Sequence, residues 1–378
     1  MIYLDNAATS YYKPEAVSQA MVNALNTMGN SGRGVNDASL AASEQIFEVR
    51  SLLADFFHAE SPSCIAFTAN STESLNIAIK GLFKSGDHVI TSVLEHNSVL
   101  RPLYEIERQG VEITILDCDE TGMISPIVFE NAIKDNTKAI ITTHASNLTG
   151  NIVDISALGQ ICKKHNIKLI VDASQSAGFL KIDVQAMNID VLCFTGHKSL
   201  MGPQGIGGIY VKPGTVIRPL LSGGSGVQTF LKNHPIEMPV ALEAGTLNGP
   251  GIAGLGAAIN HINQIGLECI REKELKLMWY FYENIRDIPG VTIYGNYKNK
   301  LRCPITAINI GKYDSATIGM ELSYTYGIAI RSGAHCAPLM HNALGTKDLG
   351  AIRFSFSYYN SESDIGTAIN AVKELSKL

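Results

Sequence analysis

The sequence predicts an α/β protein, with a large unit on a mostly parallel seven-stranded sheet and a smaller α+β unit beside it. Three observations carry that prediction. Short apolar runs alternate with helical patterns between residues 64 and 211, as parallel strands joined by helical crossovers do. After Lys212 the alternation gives way to glycine-containing loops, helices and a few short strands. The 378 residues, 46% apolar and 17% charged, suffice for two hydrophobic cores. The expected large unit spans residues 15–250, and the small one residues 1–14 with 251–378.

Taken in order, Met1–Pro14 reads as an extended lead with a turn. Glu15–Asn26 has helical spacing of Val17, Ala20, Met21, Ala24 and Leu25. A polar loop, Met28–Asn36, holds Arg33 between two glycines. Ser39–Phe57 repeats the helical pattern through Leu40, Ile46, Phe47, Val49, Leu52 and Leu53. Cys64–Thr68 is the first strand of the sheet, and a polar turn then opens a helix at Ser71–Lys80. Further strands read at His88–Ser92, Glu112–Leu116, Ala139–Thr143, Lys168–Val171, Val191–Phe194 and Gly208–Val211, with a helix at Ile155–His165 among the connections. Right-handed crossovers bring the ends of such strands to one edge. Ser222–Gly226 and Glu243–Gly256 read as glycine loops, the second leading into a helix through His261. Glu272–Ile285 is helical. Thr306–Ile310, Ala329–Ile330 and Ala351–Phe356 are strands of the smaller unit.

Composition excludes several classes of function. The net charge is −5 with no basic block, so nucleic acid is not an expected partner. No apolar run reaches the roughly 18 residues of a membrane helix. The opening MIYLDNAATS carries Asp5 and lacks the basic start of a signal peptide. Seven cysteines are scattered without a CxxC pair, which predicts reduced thiols in a cytoplasmic protein.

Chemistry gathers at the strand ends. Ser92 is followed by Glu95-His96-Asn97, Thr143 by Ser146-Asn147, Val171 by Asp172 and Gln175, and Phe194 by Thr195, His197 and Lys198. Ligands of open α/β sheets sit at that edge. A lysine alone there reads as a surface residue; four strands delivering polar groups together read as a site. Ser71-Thr72 at a helix start offers hydroxyls and free N–H groups to a phosphate. An Asp can keep a pyridinium nitrogen protonated, a His can stack on a ring, and a desolvated Lys can form a Schiff base. Phosphate, pyridine and aldehyde together describe pyridoxal 5′-phosphate. The glycine run GPQGIGG does not point to a nucleotide, because it opens a strand where dinucleotide and P-loop glycines open a helix.

The segments LDNAAT, SNLTG, VDASQSAG, TGHKSLMGPQGIGG, EAGT and RSGAHCAPLMH occur in an order that resembles the class V aminotransferases, which have the type I fold of pyridoxal phosphate enzymes. Within them the chain resembles the cysteine desulfurase and selenocysteine lyase family, from about residue 2 to the C-terminus. The resemblance implies that Lys198 holds the cofactor as a Schiff base, Asp172 pairs with its ring nitrogen and Gln175 with its ring hydroxyl. It implies that His96 stacks on the ring and serves catalysis, while Ser71, Thr72, Thr195 and His197 hold the phosphate. Thr246 would come from the partner subunit of a homodimer. Asn147 and Arg353 would bind the substrate carboxylate, with Arg331 and Arg33 as further candidates, and Cys336 would be the nucleophile. That cysteine sits among Arg331, Gly333, His335 and Pro338 rather than in an apolar run, as reactive thiols do. His335, Cys336 and His341 are too few, at no recognised zinc spacing, to predict a metal site.

The implied reaction converts L-cysteine to L-alanine and leaves the sulfur on Cys336 as a persulfide. L-selenocysteine or cysteine sulfinate are the alternative substrates. An epimerase or transaminase on the same fold, or a non-catalytic relative, is a further alternative, against which the intact set of Lys198, Asp172, Gln175, His96, Arg353 and Cys336 stands. Many relatives with this short cysteine loop have two histidines before the cysteine; here the first is Ala334. The short loop implies a sulfur-acceptor protein that must dock, and low activity without acceptor or reductant. Iron–sulfur cluster assembly, tRNA thiolation, cofactor synthesis and selenium supply all stay open as destinations.

Overall fold

A computed structural model describes residues 1–31 and 36–377. Seven strands form the main sheet in the order Ile65–Thr68, Gly207–Val211, Val191–Thr195, Lys168–Asp172, Thr137–Thr143, His88–Ser92 and Glu112–Leu116. Gly207–Val211 runs antiparallel to both neighbours; the other pairings are parallel. The central strands are apolar runs because both faces are covered. Successive residues point to opposite faces. Leu169, Val171, Leu192 and Phe194 therefore face the helices Asp37–Phe57 and Ile155–His165, while Ile170, Val191 and Cys193 face the helices Ser71–Leu82 and Asn97–Glu107.

The smaller sheet has four antiparallel strands in the order Arg331–Gly333, Ala351–Ser355, Ile305–Ile310 and Val291–Tyr294. The helices Leu267–Ile285 and Glu362–Leu375 close over a separate core that includes Phe281, Ile308, Phe354 and Ile369. Leu4 belongs to that core, and Ile2–Tyr3 pairs in parallel with Ile328–Ala329.

Two expectations need correction. Residues 249–256 are helical, not part of a loop: Gly249–Ile265 forms one helix, capped by the Asn248 side chain accepting from the Gly251 N–H. Its glycines serve close packing. A Cβ on Gly256 would fall 2.5 Å from a methyl of Val49, and one on Gly254 would fall 2.8 Å from Met21. Ile252, Leu255 and Ile259 thereby join the core of the large sheet, so residues 251–265 pack with the large unit. The apolar spacing of the first two helices also overstated their buried faces, since Leu25, Leu40 and Phe47 are exposed.

Candidate active site

Lys198 sits three residues beyond Thr195, the last residue of a strand whose five members are all buried. The turn after it is pinned at both ends: the Gly196 N–H donates to the Ile206 carbonyl, and the Gly202 N–H to that of Gly196. The turn opens onto a cavity of about 220 Å³, lined by Ser71, Thr72, His96, Asn147 and Asp172 and also by Gln175, Thr195, His197 and Lys198. Nine residues singled out by sequence thus meet in one place. Burial brings the Lys198 amine down to about 8; Asp172 opposes that shift, and the guanidinium groups of Arg353 and Arg331 add to it.

Asp172 closes its strand and accepts three hydrogen bonds at Oδ1, from the Ser71 hydroxyl at 3.2 Å, the Ser174 N–H at 3.0 Å and the Ser174 hydroxyl. Among the described residues, Oδ2 takes none of them. His96 caps the helix Asn97–Glu107, its Nδ1 accepting from the Ser98 N–H at 3.0 Å. That bond places the ring proton on Nε2. Burial, and then the charge of Lys198, push His96 down to about 4, so the ring is neutral. The Gln175 amide donates to the Ala7 carbonyl at 3.0 Å.

One end of the cavity has donors in want of an acceptor. Thr195 Oγ1 and His197 Nδ1 are buried with no hydrogen-bond partner among the described residues. Buried polar atoms are rarely left so. Beside them Ser71 and Thr72 form the first turn of a twelve-residue helix, where free N–H groups favour an anion. A phosphate answers both needs. His197 is depressed to about 4, chiefly by burial and then by Lys198, and is neutral. Lys13 was not foreseen here: its amine donates to the His197 carbonyl at 3.0 Å, and burial lowers it to about 8.

At the other end Arg353 is buried on the strand Ala351–Ser355. It donates to the Asn147 carbonyl at 2.9 Å and to Asp5 at 2.7 Å, and its Nε has no partner among the described residues. Arg331 stands directly opposite it on the neighbouring strand. Two adjacent guanidinium groups against one carboxylate make this end suited to a second carboxylate. Asp5 was missed as a partner, although it lies within the LDNAAT segment.

Cys336 is exposed. It and His335 both have left-handed backbone, with φ of 54° and 50°. Such a conformation costs a residue with a side chain about 1–2 kcal/mol. Two hydrogen bonds hold it: the side-chain amide of cavity-lining Asn147 donates to the His335 carbonyl at 2.7 Å, and the N–H of Asn97, next to His96, to the Cys336 carbonyl at 2.8 Å. Asn147 therefore already spends one amide proton on the loop. By contrast, burial pushes the thiols of Cys162 and Cys303 up to about 12 and that of Cys193 well above its ordinary value.

Of the five other candidates, Arg353, Arg331 and Cys336 flank this cavity without lining it, whereas Thr246 stands apart from it. Thr246 is exposed on a separate cavity of about 510 Å³, beside a buried ion pair of Arg50 and Glu243. Arg33 lies outside the described residues.

The family profile of aminotransferase class V matches residues 2–367. This chain belongs to the class V aminotransferase family. The family's cofactor is pyridoxal 5′-phosphate, and the unpaired donors and free carboxylate oxygen of the cavity fit it. Among its relatives, a probable cysteine desulfurase of Methanothermobacter thermautotrophicus is 33% identical over 382 residues, covering 99% of this chain and 94% of that protein. The apo structure of the cysteine desulfurase from Thermococcus onnurineus superposes with a TM-score of 0.94 at 34% identity, covering 100% of this chain and 94% of the other. The cysteine desulfurase CsdA of Escherichia coli, solved as the S-sulfonic acid, gives 0.89 at 27% identity, again with 100% and 94% covered.

Proposed function

We propose that this class V enzyme is a pyridoxal phosphate-dependent cysteine desulfurase that moves the sulfur of L-cysteine onto Cys336. The observation that carries the reading is the tethering of an exposed cysteine, on a left-handed turn, to Asn97 and Asn147 at the rim of the Lys198 cavity. The cofactor, when bound, supplies the electron sink that makes a substrate carbon acid. Lys198 holds it and, as a free amine near neutrality, removes the substrate α-proton. Asp172 would offer Oδ2 to the ring nitrogen, Gln175 would meet the ring hydroxyl, and neutral His96 would lie against the ring and pass protons. Ser71, Thr72, Thr195 and His197 would hold the phosphate, joined by Thr246 of a second copy. Arg353 and Asn147 orient the substrate carboxylate, with Arg331 and Arg33 beside them. The S–S bond to Cys336 forms as the substrate C–S bond breaks, and the electron pair of that bond stays with carbon. Protonation there, with return of the α-proton from Lys198, yields L-alanine, and the persulfide keeps the sulfur.

The homodimer is supported by the position of Thr246 away from its own Lys198 and by the exposed Leu25, Leu40 and Phe47. The exposure of Cys336 supports delivery to a docking sulfur-acceptor protein, and the free state of all seven cysteines supports a cytoplasmic setting. Among the described residues no helix is long and apolar enough to cross a membrane. The test is L-alanine formed per active site from L-cysteine and from L-selenocysteine, with and without a thiol reductant. Alanine from cysteine, with multiple turnovers only when reductant is present, is the expected result. Alanine from selenocysteine alone moves the assignment to a lyase, and alanine from neither overturns it.

A further inference from the structure

We propose that His341 is a positioning residue for Cys336: Thr346, His341 and His335 form a one-way hydrogen-bond chain that holds the turn presenting the thiol. The inference rests on Cys336 being the sulfur-accepting residue. All three members are at least nineteen-twentieths buried. His341 Nδ1 lies 2.7 Å from Thr346 Oγ1, and His341 Nε2 lies 3.4 Å from His335 Nδ1. The far nitrogen of His335 lies 3.2 Å from the Arg331 carbonyl. The two imidazoles are nearly parallel, at 8° between planes.

The direction of the chain follows from its last member. A backbone carbonyl only accepts, so His335 Nε2 must carry a proton. Burial depresses both rings, and the guanidinium of Arg353 adds to the effect on His335, so each ring is neutral and has one N–H. His335 Nδ1 is then an acceptor, and His341 must donate from Nε2. His341 Nδ1 accepts in turn, and the Thr346 hydroxyl must donate. Every proton is assigned from one fixed carbonyl, and each of the two His335 nitrogens is used. With both nitrogens held and its carbonyl taken by Asn147, His335 cannot rotate out of its left-handed conformation without breaking three bonds. Cys336 follows it directly. Residue 334 is alanine, so the second imidazole of this loop comes from the other side, from the short helix Pro338–Ala343.

The test uses the pyridoxal phosphate-loaded enzyme and two substitutions. His341→Leu keeps bulk but removes both nitrogens; His341→Gln keeps an N–H donor within reach of His335. In single turnover with L-cysteine, His341→Leu is expected to slow alanine formation about tenfold to a hundredfold, the loss typical of a reacting group displaced by an ångström. The rate of Cys336 alkylation by iodoacetamide should change with it, the cofactor absorbance should not, and His341→Gln should recover most of both rates. Side-chain ¹⁵N resonances of the unsubstituted protein should show His335 and His341 as neutral Nε2–H tautomers at pH 7. Turnover and alkylation unchanged in His341→Leu would overturn the proposal, as would a proton on Nδ1 of either ring. Should His341→Leu fail to fold or to load cofactor, the ¹⁵N pattern and the His341→Gln rates decide it. If Cys336→Ala kept full alanine formation, the desulfurase reading would fall while the tautomer pattern still judged the chain.

Discussion

Lys198 lines the cavity and Cys336 stands beside it, on opposite kinds of backbone. Lys198 follows a fully buried inner strand of the seven-stranded sheet, past its carboxyl end, in a turn closed by backbone bonds at Gly196 and Gly202. Cys336 stands on two successive left-handed residues whose carbonyls are tied to side-chain and backbone donors from elsewhere in the chain. The sheet edge places its groups by virtue of the fold itself. The cysteine loop is held by a handful of specific bonds, so its geometry can be tuned or lost without touching the cofactor end.

Substitutions at the two ends should separate accordingly. Lys198→Ala is expected to abolish both the cofactor's bound absorbance and alanine formation, with a loss of about 10⁴-fold or more in turnover. Cys336→Ala should cost alanine formation from L-cysteine about 10²- to 10³-fold while leaving the bound absorbance unchanged. A matching loss of cofactor would show that the two ends are not independent. Asp5→Asn sits between them. It leaves the buried Arg353 without its carboxylate, and removing one partner of a buried pair costs about 3 kcal/mol. Urea unfolding should report that loss, and the substrate KM should rise with little change at the cofactor.

Two pH measurements sharpen the contrast further. Capture of pyridoxal phosphate by the cofactor-free chain needs a neutral Lys198 amine. With the lysine lowered to about 8, the capture rate should fall about tenfold per unit below pH 8 and level off above it. The second concerns Glu95, which is wholly buried beside His96 and accepts from the Ser92 hydroxyl and the Thr143 N–H. Burial raises it from 4.5 to about 8. Between those values the folded chain keeps a proton that the unfolded chain has released, so stability falls as pH rises across the window. Glu95→Gln should flatten that fall, with Glu274, raised likewise to about 8, keeping part of it. Stability curves at pH 5 and pH 8 would show it.

The same contrast explains what could be read from the sequence. The strands of the large sheet were legible nearly to the residue, because strands buried on both faces are apolar runs and the polar residue that ends each run marks the edge. Asp172 and Lys198 were legible for that reason. The helix Asn97–Glu107 was not singled out, since Pro102 interrupts its pattern and its cap is His96 rather than a usual capping residue. The glycines of Gly249–Ile265 read as a loop, because composition does not tell a flexible glycine from one pressed against Val49. The short edge strands Val291–Tyr294 and Arg331–Gly333 carry too few residues for a pattern. At the site, Lys13 and Thr346 escaped notice, and Asp5 and His341 were weighed only for other roles, because each acts through a contact far along the chain or across a turn, which no spacing encodes.

The first ten residues have a consequence for how the protein is made. Asp5 binds Arg353, Asn6 donates to the Ser355 carbonyl 349 residues away, and the N–H and hydroxyl of Ser10 donate to the His197 carbonyl. Residues 5–10 thus leave the ribosome well before the strand partner that they wait for, 349 residues later for Asn6. The large sheet can assemble during synthesis, whereas the surroundings of Arg353 are completed only once the strand Ala351–Ser355 has emerged. Substitutions in residues 5–10 therefore act on that late step.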